Sequence, residues 1–134
     1  MNIRIDKHVR QYRSEDDGVR LLIMRYWPRG ISKDTIDNWL IALAPSASLL
    51  SALKNGELKV KNLNPVQNIE EQQYRAFTKL YIEEMQSQDS QLCIRGLAQE
   101  LKAGVTITLL CSCHDHKYCH RSILKNLILS YSEK

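Results

Sequence analysis

Two short apolar runs, separated by segments with helical periodicity, place the strongest constraint on how this chain can fold. Val19–Met24 (VRLLIM) and Val105–Cys111 (VTITLLC) are each long enough for one strand and are rich in strand-favouring residues. Between them, apolar residues recur at spacings of three and four. Strands that alternate with helices pair in parallel through helical crossovers. We therefore predict an α/β fold with a small, mainly parallel sheet and helices on both faces, a three-layer, Rossmann-like architecture.

Caps and breakers predict the remaining elements. Asn2–Ile5 alternates apolar and polar residues and is a third strand candidate. Ser32 begins a predicted helix that runs to Ala44, and Ser46 begins a short second helix that Gly56 ends. Residues 57–68 are polar and are predicted to form a loop. Three further helices are predicted, over residues 69–85, over residues 92–101 and from the vicinity of His120 onwards.

Length and composition restrict the class of protein. The 134 residues, with 43% hydrophobic and 25% charged side chains, are typical of one globular domain, so residues 1–134 are predicted to form a single α/β domain. The apolar runs are too short to cross a bilayer, and the first ten residues have no apolar stretch of signal-peptide length. We expect a cytoplasmic protein with no membrane partner. The sequence predicts no particular oligomeric state.

Basic side chains are concentrated in the first quarter of the chain. Residues 1–33 hold eight basic and four acidic residues, and the rest of the chain holds eleven of each. Such an asymmetry can mark an anion-binding face, which makes nucleic acid a candidate partner. No nucleic-acid-binding motif accompanies the charge, and solvated arginines that flank strands are the alternative interpretation. The eight are Arg4, Lys7, Arg10, Arg13, Arg20, Arg25, Arg29 and Lys33.

Cysteine and histidine residues cluster between positions 111 and 120. Three of the four cysteines and three of the four histidines lie there, in a chain where a disulfide framework is not expected. Cys111 and Cys113 would point the same way at a strand end, and Cys119 would start the next helix, whose positive end favours a thiolate. The sequence therefore predicts thiol chemistry with Cys111, Cys113 and Cys119 as candidate catalytic residues. An oxidised Cys111–Cys119 pair is a variant of this hypothesis.

Two loops that follow strands predict an anion site beside these cysteines. Ligands of α/β sheets bind beyond the carboxyl ends of the strands, and parallel strands would bring both loops to one edge. There Arg29 and Arg121 could hold an anionic small molecule, such as a phosphate, sulfate or carboxylate, through their planar guanidinium groups. The candidate anion-binding residues are Arg25, Arg29, His120, Arg121 and Ser122.

Metal binding is the alternative for the same segment. Three thiols and three imidazoles exceed the four ligands of a tetrahedral zinc or iron site. A C-x-x-C pair is missing, however, and cysteines also serve as small core residues. The spacing and the scarcity of glycine also differ from the loops of rhodaneses and cysteine phosphatases. The candidate metal ligands are Cys111, Cys113, His114, His116, Cys119 and His120.

Other conspicuous side chains are predicted to be structural. His8 lies in a basic, polar stretch and is expected to be exposed and inert, and Cys93 is expected to be buried. Tyr74, Phe77 and Tyr81 share one side of a helix by their spacing, which favours a place in the core.

Most of the chain resembles the domain-of-unknown-function 488 (DUF488) family. Arg25–Lys33 (RYWPRGISK) is similar to that family's R-L-W-P-R-G-V-S-K stretch. Trp39-Leu40 followed by Leu43–Ser46 (LAPS) is similar to its W-L-K-E-L-A-P-S stretch, and Phe77 with Tyr81 to its F-x-x-x-Y pair. The resemblance implies a three-layer α/β fold and a small bacterial-type cytosolic protein, and it implies no activity.

The carboxyl-terminal segment resembles another branch of the same family. Leu109–Cys111 followed by Cys119–Ser122 (CHRS) is similar to the L-L-C…C-H-R-S pattern of that branch. Cys113 stands where the branch has glutamate, so an acid–base role is not carried over to this position.

Overall fold

Four parallel strands form the centre of the described part of the molecule. A computed structural model describes residues 2–58, 69–112 and 119–132. The strands are β1 (Ile3–Arg4), β2 (Val19–Leu22), β3 (Asn38–Trp39) and β4 (Ile107–Leu110). β4 pairs with β1 on one side and with β2 on the other, and β3 pairs with β2 at the edge. The predicted small parallel sheet is confirmed.

Four α-helices and three short 3-10 helices surround the sheet in the described part of the chain. The α-helices are α1 (Ala47–Lys54), α2 (Ile69–Glu84), α3 (Gln88–Lys102) and α4 (His120–Ser132), and the 3-10 helices cover Glu15–Asp17, Lys33–Thr35 and Ile41–Leu43. Ser46 caps α1 as predicted, because its side chain accepts a hydrogen bond from the Leu49 amide. The predicted boundaries of α2, α3 and α4 agree with the structure to within a few residues.

Alternating residues of the central strands face two different apolar layers. Leu21 and Leu109 belong to the main core, into which all four α-helices insert residues such as Phe77, Ile94 and Leu124. On the other side, Leu22 and Leu110 pack with Val9 and Ile36, and Met24, Trp27, Ile31 and Trp39 cover this smaller cluster. One outer layer is therefore α-helical, and 3-10 helices and loops build much of the other. The three-layer α/β architecture agrees with the prediction.

The predicted helix over residues 32–44 is wrong. This segment forms a 3-10 helix over Lys33–Thr35, the edge strand β3 and a second 3-10 helix over Ile41–Leu43. The amide of Asp37 donates to the carbonyl of Arg20, and the amide of Leu40 donates to the carbonyl of Leu22. Pairing with the free edge of β2 thus satisfies backbone groups that a helix would have satisfied internally. The apolar spacing was compatible with both outcomes.

Two smaller predictions need correction, and a third concerns residues that are mostly outside the described part of the chain. Cys93 is half-buried rather than buried, and β2 ends two residues before the predicted Met24. Of the predicted 57–68 loop, Glu57 and Leu58 are described, and residues 59–68 lie outside the described residues. Within the described residues, no helix is both long enough and apolar enough to cross a membrane.

A buried ion network ties the amino-terminal segment to the sheet. The Asp17 carboxylate lies 2.8 Å from Lys7 Nζ and 2.7 Å from Arg20 NH1, and these three side chains are almost completely buried. Burial alone would raise the pKa of Asp17, but hydrogen bonds from Lys7, from the Ser14 amide and from Arg20 outweigh it and hold the pKa well below its usual range. The adjacent Gly18 has φ +61°, and a Cβ there would lie 2.1 Å from the Thr106 carbonyl oxygen. Glycine is therefore required beside this carboxylate.

We expect the free energy of unfolding to fall as the pH drops below about 4. A carboxyl group whose pKa is lowered by folding stabilises the fold above its unfolded pKa, and this stabilisation disappears as the pH falls toward the folded pKa. Asp17→Asn leaves Lys7 and Arg20 without their buried counter-charge, so it should cost about 3–5 kcal/mol at neutral pH and flatten the acid dependence. Urea unfolding across this pH range measures both effects.

Asp37→Asn is the matched control. Asp37 also has a lowered pKa, held down chiefly by its hydrogen bond with Arg13, but the two side chains of this pair are 38% and 40% exposed. Its removal should cost less than that of Asp17 because water screens the pair. Equal stability losses in the two variants would contradict a dominant role for the buried network.

Candidate functional site

The carboxyl ends of the central strands meet the start of α4 at one edge of the sheet. Beyond β4, Cys111 forms a parallel bridge with His8, and its carbonyl accepts a hydrogen bond from the Val9 amide at 3.0 Å. Beyond β2, the Ile23 amide donates to the Leu110 carbonyl at 3.2 Å. Since α4 begins at His120, Cys119 lies directly before its first residue. Chain segments far apart in sequence thus meet around Cys111 and Cys119.

Three potential nucleophile or ligand atoms converge at this edge. The Sγ atoms of Cys111 and Cys119 and a ring nitrogen of His120 all lie within 4.8 Å of one another. The three residues are only 4%, 2% and 5% exposed, respectively. We refer to Cys111, Cys119 and His120 as the thiol cluster. Its members come from a strand end and from a helix start, as the sequence predicts for these three residues.

The hydrogen bonds of His120 determine which of its ring nitrogens faces the thiol. Nε2 lies 2.6 Å from the carbonyl oxygen of Ile23, and Nδ1 lies 3.6 Å from Cys119 Sγ. A carbonyl oxygen only accepts, so Nε2 must carry a proton and donate it. In the neutral imidazole, Nδ1 then holds the lone pair. His120 therefore presents a proton acceptor, or a metal ligand atom, to Cys119.

The guanidinium group of Arg121 places a buried positive charge next to the sulfur atom of Cys119. Its Nε donates to Cys119 Sγ at 3.4 Å, and its NH1 donates to the carbonyl oxygen of Lys7 at 2.6 Å. The residue is only 2% exposed, so water screens this charge poorly. Cys119 also stands at the amino-terminal end of α4, where the helix dipole is positive. Both effects favour the negatively charged form of the Cys119 thiol.

Two residues of α2, together with Ser122 of α4, contact the backbone and one side of the thiol cluster. The Tyr74 hydroxyl donates to the Cys119 carbonyl at 2.9 Å, and the Ser122 hydroxyl donates to the same carbonyl at 3.0 Å. The Tyr81 ring meets the His120 ring edge-on at 5.5 Å. Burial, followed by the charges of Cys119 and Glu84, raises the pKa of Tyr81 well above its usual value. Tyr81 is therefore a neutral wall at physiological pH, and its hydroxyl donates to the Leu43 carbonyl.

Comparison with known proteins identifies the family. A family model matches residues 3–132; it is DUF488-N3a, described as the active DUF488-N3 subclade. The chain belongs to the DUF488 family. No curated protein and no solved structure matches it. The match confirms the predicted family and brings no reaction with it.

The structure brings together some of the predicted site residues of the DUF488 domain. Cys111, Cys119, His120, Arg121 and Ser122 lie at one edge, joined by the contacts given above. The other three candidate ligands, Cys113, His114 and His116, lie outside the described residues.

The remaining two anion-site candidates have different surroundings. Arg25 donates from Nε to the Pro45 carbonyl at 3.0 Å and from NH2 to the Ala44 carbonyl at 3.1 Å, so it fastens the segment before α1. Arg29 is exposed, and its carbonyl accepts a hydrogen bond from the Arg10 side chain. These contacts give Arg25 a structural role, whereas the sequence pattern predicts that it binds an anion.

Several basic side chains of the first quarter of the chain form ion pairs with carboxylates of the same chain. Arg4, Lys7 and Arg20 surround Asp17, and Arg13 pairs with Asp37. These charges hold the DUF488 domain together, whichever molecule it binds. Nucleic-acid binding stays a prediction that these contacts do not favour.

Two contributors to the site were missed in the sequence. His8 was expected to be exposed and inert, but it is half-buried, its backbone pairs with Cys111, and its Nε2 lies 2.8 Å from the Ser112 carbonyl. Lys7 reaches the site through its carbonyl group, which accepts from Arg121. A backbone carbonyl leaves no signature in the sequence. The pairing of β1 with β4 could have suggested His8, since it places the residues after both strands side by side.

Proposed function

We propose that this DUF488 protein is a thiol-dependent enzyme in which Cys119 attacks a small electrophile that carries or develops negative charge. The position of Cys119 Sγ carries the proposal: it lies 3.4 Å from Arg121 Nε and 3.6 Å from His120 Nδ1. A buried thiol with only structural duties needs neither of these partners. Reactive cysteines, by contrast, occur in electropositive surroundings next to a base.

His120 supports this proposal as the base. The Ile23 carbonyl accepts from Nε2 and so keeps the lone pair of the neutral ring on Nδ1, toward Cys119. Transfer of the thiol proton to Nδ1 would give a thiolate–imidazolium pair. Arg121 Nε–H, which donates to the same sulfur, stabilises the thiolate half of this pair. The site then needs no group from elsewhere to activate its nucleophile.

The charge around Cys119 supports a preference for substrates with negative charge. The Arg121 guanidinium and the positive end of the 13-residue helix α4 both lie next to Cys119 and make the potential there positive. Negative charge that is present in a substrate, or that develops on its leaving group, is stabilised by such fixed positive charge in a site with little water. The predicted anionic small molecule is the partner class that fits this potential.

Two alkylating reagents of similar size but different charge test the proposal. Iodoacetate is an anion and iodoacetamide is neutral, so their rate ratio at one thiol reports the local potential. We expect Cys119 to react faster than Cys93 near neutral pH, with a higher iodoacetate-to-iodoacetamide ratio. Peptide mass spectrometry after short exposures measures the rates at each thiol.

Cys93 is the internal control. It is half-buried on α3, and burial, together with the charge of Asp89, raises the pKa of its thiol. Arg121→Gln should lower the iodoacetate-to-iodoacetamide ratio at Cys119 and leave the ratio at Cys93 unchanged. If Cys119 reacts no faster than Cys93 with either reagent, the proposed nucleophile is wrong.

A metal site is the second candidate, and the convergence of the thiol cluster favours it. Two thiols and one imidazole nitrogen within 4.8 Å supply three ligands of the kinds that zinc and iron prefer. The hydrogen bond from His120 Nε2 to the Ile23 carbonyl is also the outer contact that commonly orients a ligating histidine. A fourth ligand would come from water or from residues outside the described part of the chain.

Metal analysis of the purified protein separates the two candidates. A metal centre predicts close to one zinc or iron per chain, with loss of thermal stability on chelation and loss of metal in Cys111→Ser. A thiol enzyme predicts protein without stoichiometric metal whose Cys119 alkylates rapidly. Stoichiometric metal that protects Cys119 from alkylation would overturn the thiol proposal in favour of the metal centre.

A further inference from the structure

Cys111 is the one member of the thiol cluster to which the proposed nucleophilic reaction gives no task. It is 4% exposed, and its Sγ lies within 4.8 Å of both Cys119 Sγ and a ring nitrogen of His120. Its backbone is fixed by the bridge to His8 and by the hydrogen bond from Val9. A second thiol held this close to an activated first one is the arrangement that a two-electron reduction requires.

We propose that Cys119 and Cys111 form a dithiol that reduces small hydroperoxides, with Cys119 as the attacking thiol and Cys111 as the resolving thiol. The inference rests on the proposed role of Cys119 as nucleophile and adds to it a substrate class and a second reacting residue. The sequence pattern alone suggested an oxidised Cys111–Cys119 pair as a variant of the thiol hypothesis, beside the metal and structural alternatives. The distances and burial of the thiol cluster favour it over the others.

The first step oxidises Cys119. Its thiolate attacks one oxygen of the hydroperoxide, an S–O bond forms and the O–O bond breaks. The departing hydroxide or alkoxide takes the proton that His120 Nδ1 received from the thiol and leaves as water or an alcohol. Cys119 becomes a sulfenic acid, and the peroxide is reduced by two electrons. Arg121, at 3.4 Å from the sulfur, stabilises the negative charge before and during the attack.

The second step closes the disulfide. The Cys111 thiol gives its proton to His120 Nδ1, its sulfur attacks the Cys119 sulfur, the S–O bond breaks, and the leaving hydroxide takes that proton to form water. The two Sγ atoms must approach from at most 4.8 Å to a bond length of about 2.05 Å. Low-molecular-weight thiols then reduce the disulfide by exchange and return both cysteines to their starting state.

Burial favours hydroperoxides over larger oxidants. Cys111 and Cys119 are 4% and 2% exposed, so a small oxidant reaches either sulfur with less displacement of neighbouring residues than a bulky disulfide does. Hydrogen peroxide is close in size to water. The resolving thiol also limits further oxidation of Cys119, since the sulfenic acid is consumed where it forms.

Oxidation by hydrogen peroxide tests the proposal on the reduced, metal-free full chain. We expect one equivalent to give a monomer that is lighter by two hydrogens, with a Cys111–Cys119 linkage in its peptide map and Cys93 still reduced. Dithiothreitol should restore the original mass. In Cys111→Ser the disulfide should be lost, and a Cys119 sulfenic acid that dimedone traps should take its place.

Cys113→Ser is the matched control, because Cys113 lies two residues from Cys111 and offers the same chemistry. This variant should still form the Cys111–Cys119 disulfide. A Cys113–Cys119 linkage in the wild type, or a sulfenic acid that persists on Cys119 beside a reduced Cys111, would overturn the assignment of Cys111. Either result would leave Cys119 as the nucleophile intact.

Comparison with the alkylation experiment distinguishes a wrong substrate class from a wrong nucleophile. If peroxide oxidises Cys119 no faster than Cys93 although Cys119 alkylates rapidly, the hydroperoxide is the wrong substrate class and the thiol enzyme survives. If Cys119 is slow toward both reagents, the proposed function and this inference fail together.

Discussion

The carboxylate of Asp17 is the charge on which this fold and its site most depend. A buried carboxylate is tolerated only when cations and hydrogen-bond donors replace the water it has lost. Lys7 and Arg20 contact the carboxylate at 2.8 and 2.7 Å. Asp17 in turn supplies the counter-charge for these two buried cations. Removing Asp17 leaves two buried cations without their counter-charge. The amino-terminal segment is thereby held against the sheet.

The same network reaches the thiol cluster through the main chain. Asp17 holds the side chain of Lys7, and the carbonyl of Lys7 accepts a hydrogen bond from Arg121 at 2.6 Å. Arg121 in turn donates to Cys119. A guanidinium group that is fixed at one end by a backbone carbonyl keeps its Nε–H directed at the sulfur. The ion network therefore contributes to the geometry of the site as well as to stability.

Elements that depend on neighbouring residues could be predicted from the sequence, and elements that depend on contacts between distant segments could not. The strand within Val105–Cys111 and the helix from His120 were predictable because local apolar patterns decide them. Ser32–Ala44 was not, since its helical spacing competes with pairing to the distant edge of β2, which is invisible in a local window. Strand order likewise arises from long-range pairing.

The candidate site divides in the same way. The parallel sheet and the loops after its strands were enough to predict that Cys111, Cys119, His120 and Arg121 meet. The contacts that assign their roles could not be predicted, because they are made by backbone carbonyls of Ile23 and Lys7. Arg25 was grouped with the site on charge alone, and its partners are the carbonyls of Ala44 and Pro45.

The proposed function depends most directly on the ionisation state of Cys119. Thiolate absorbance in the ultraviolet, followed as a function of pH in the wild type and in Cys119→Ser, measures it directly. We expect a thiolate that is already present at neutral pH, that is lost in Cys119→Ser and that needs higher pH to form in Arg121→Gln. A signal that emerges only around the ordinary thiol pKa of about 8.5, equally in all three proteins, would contradict it.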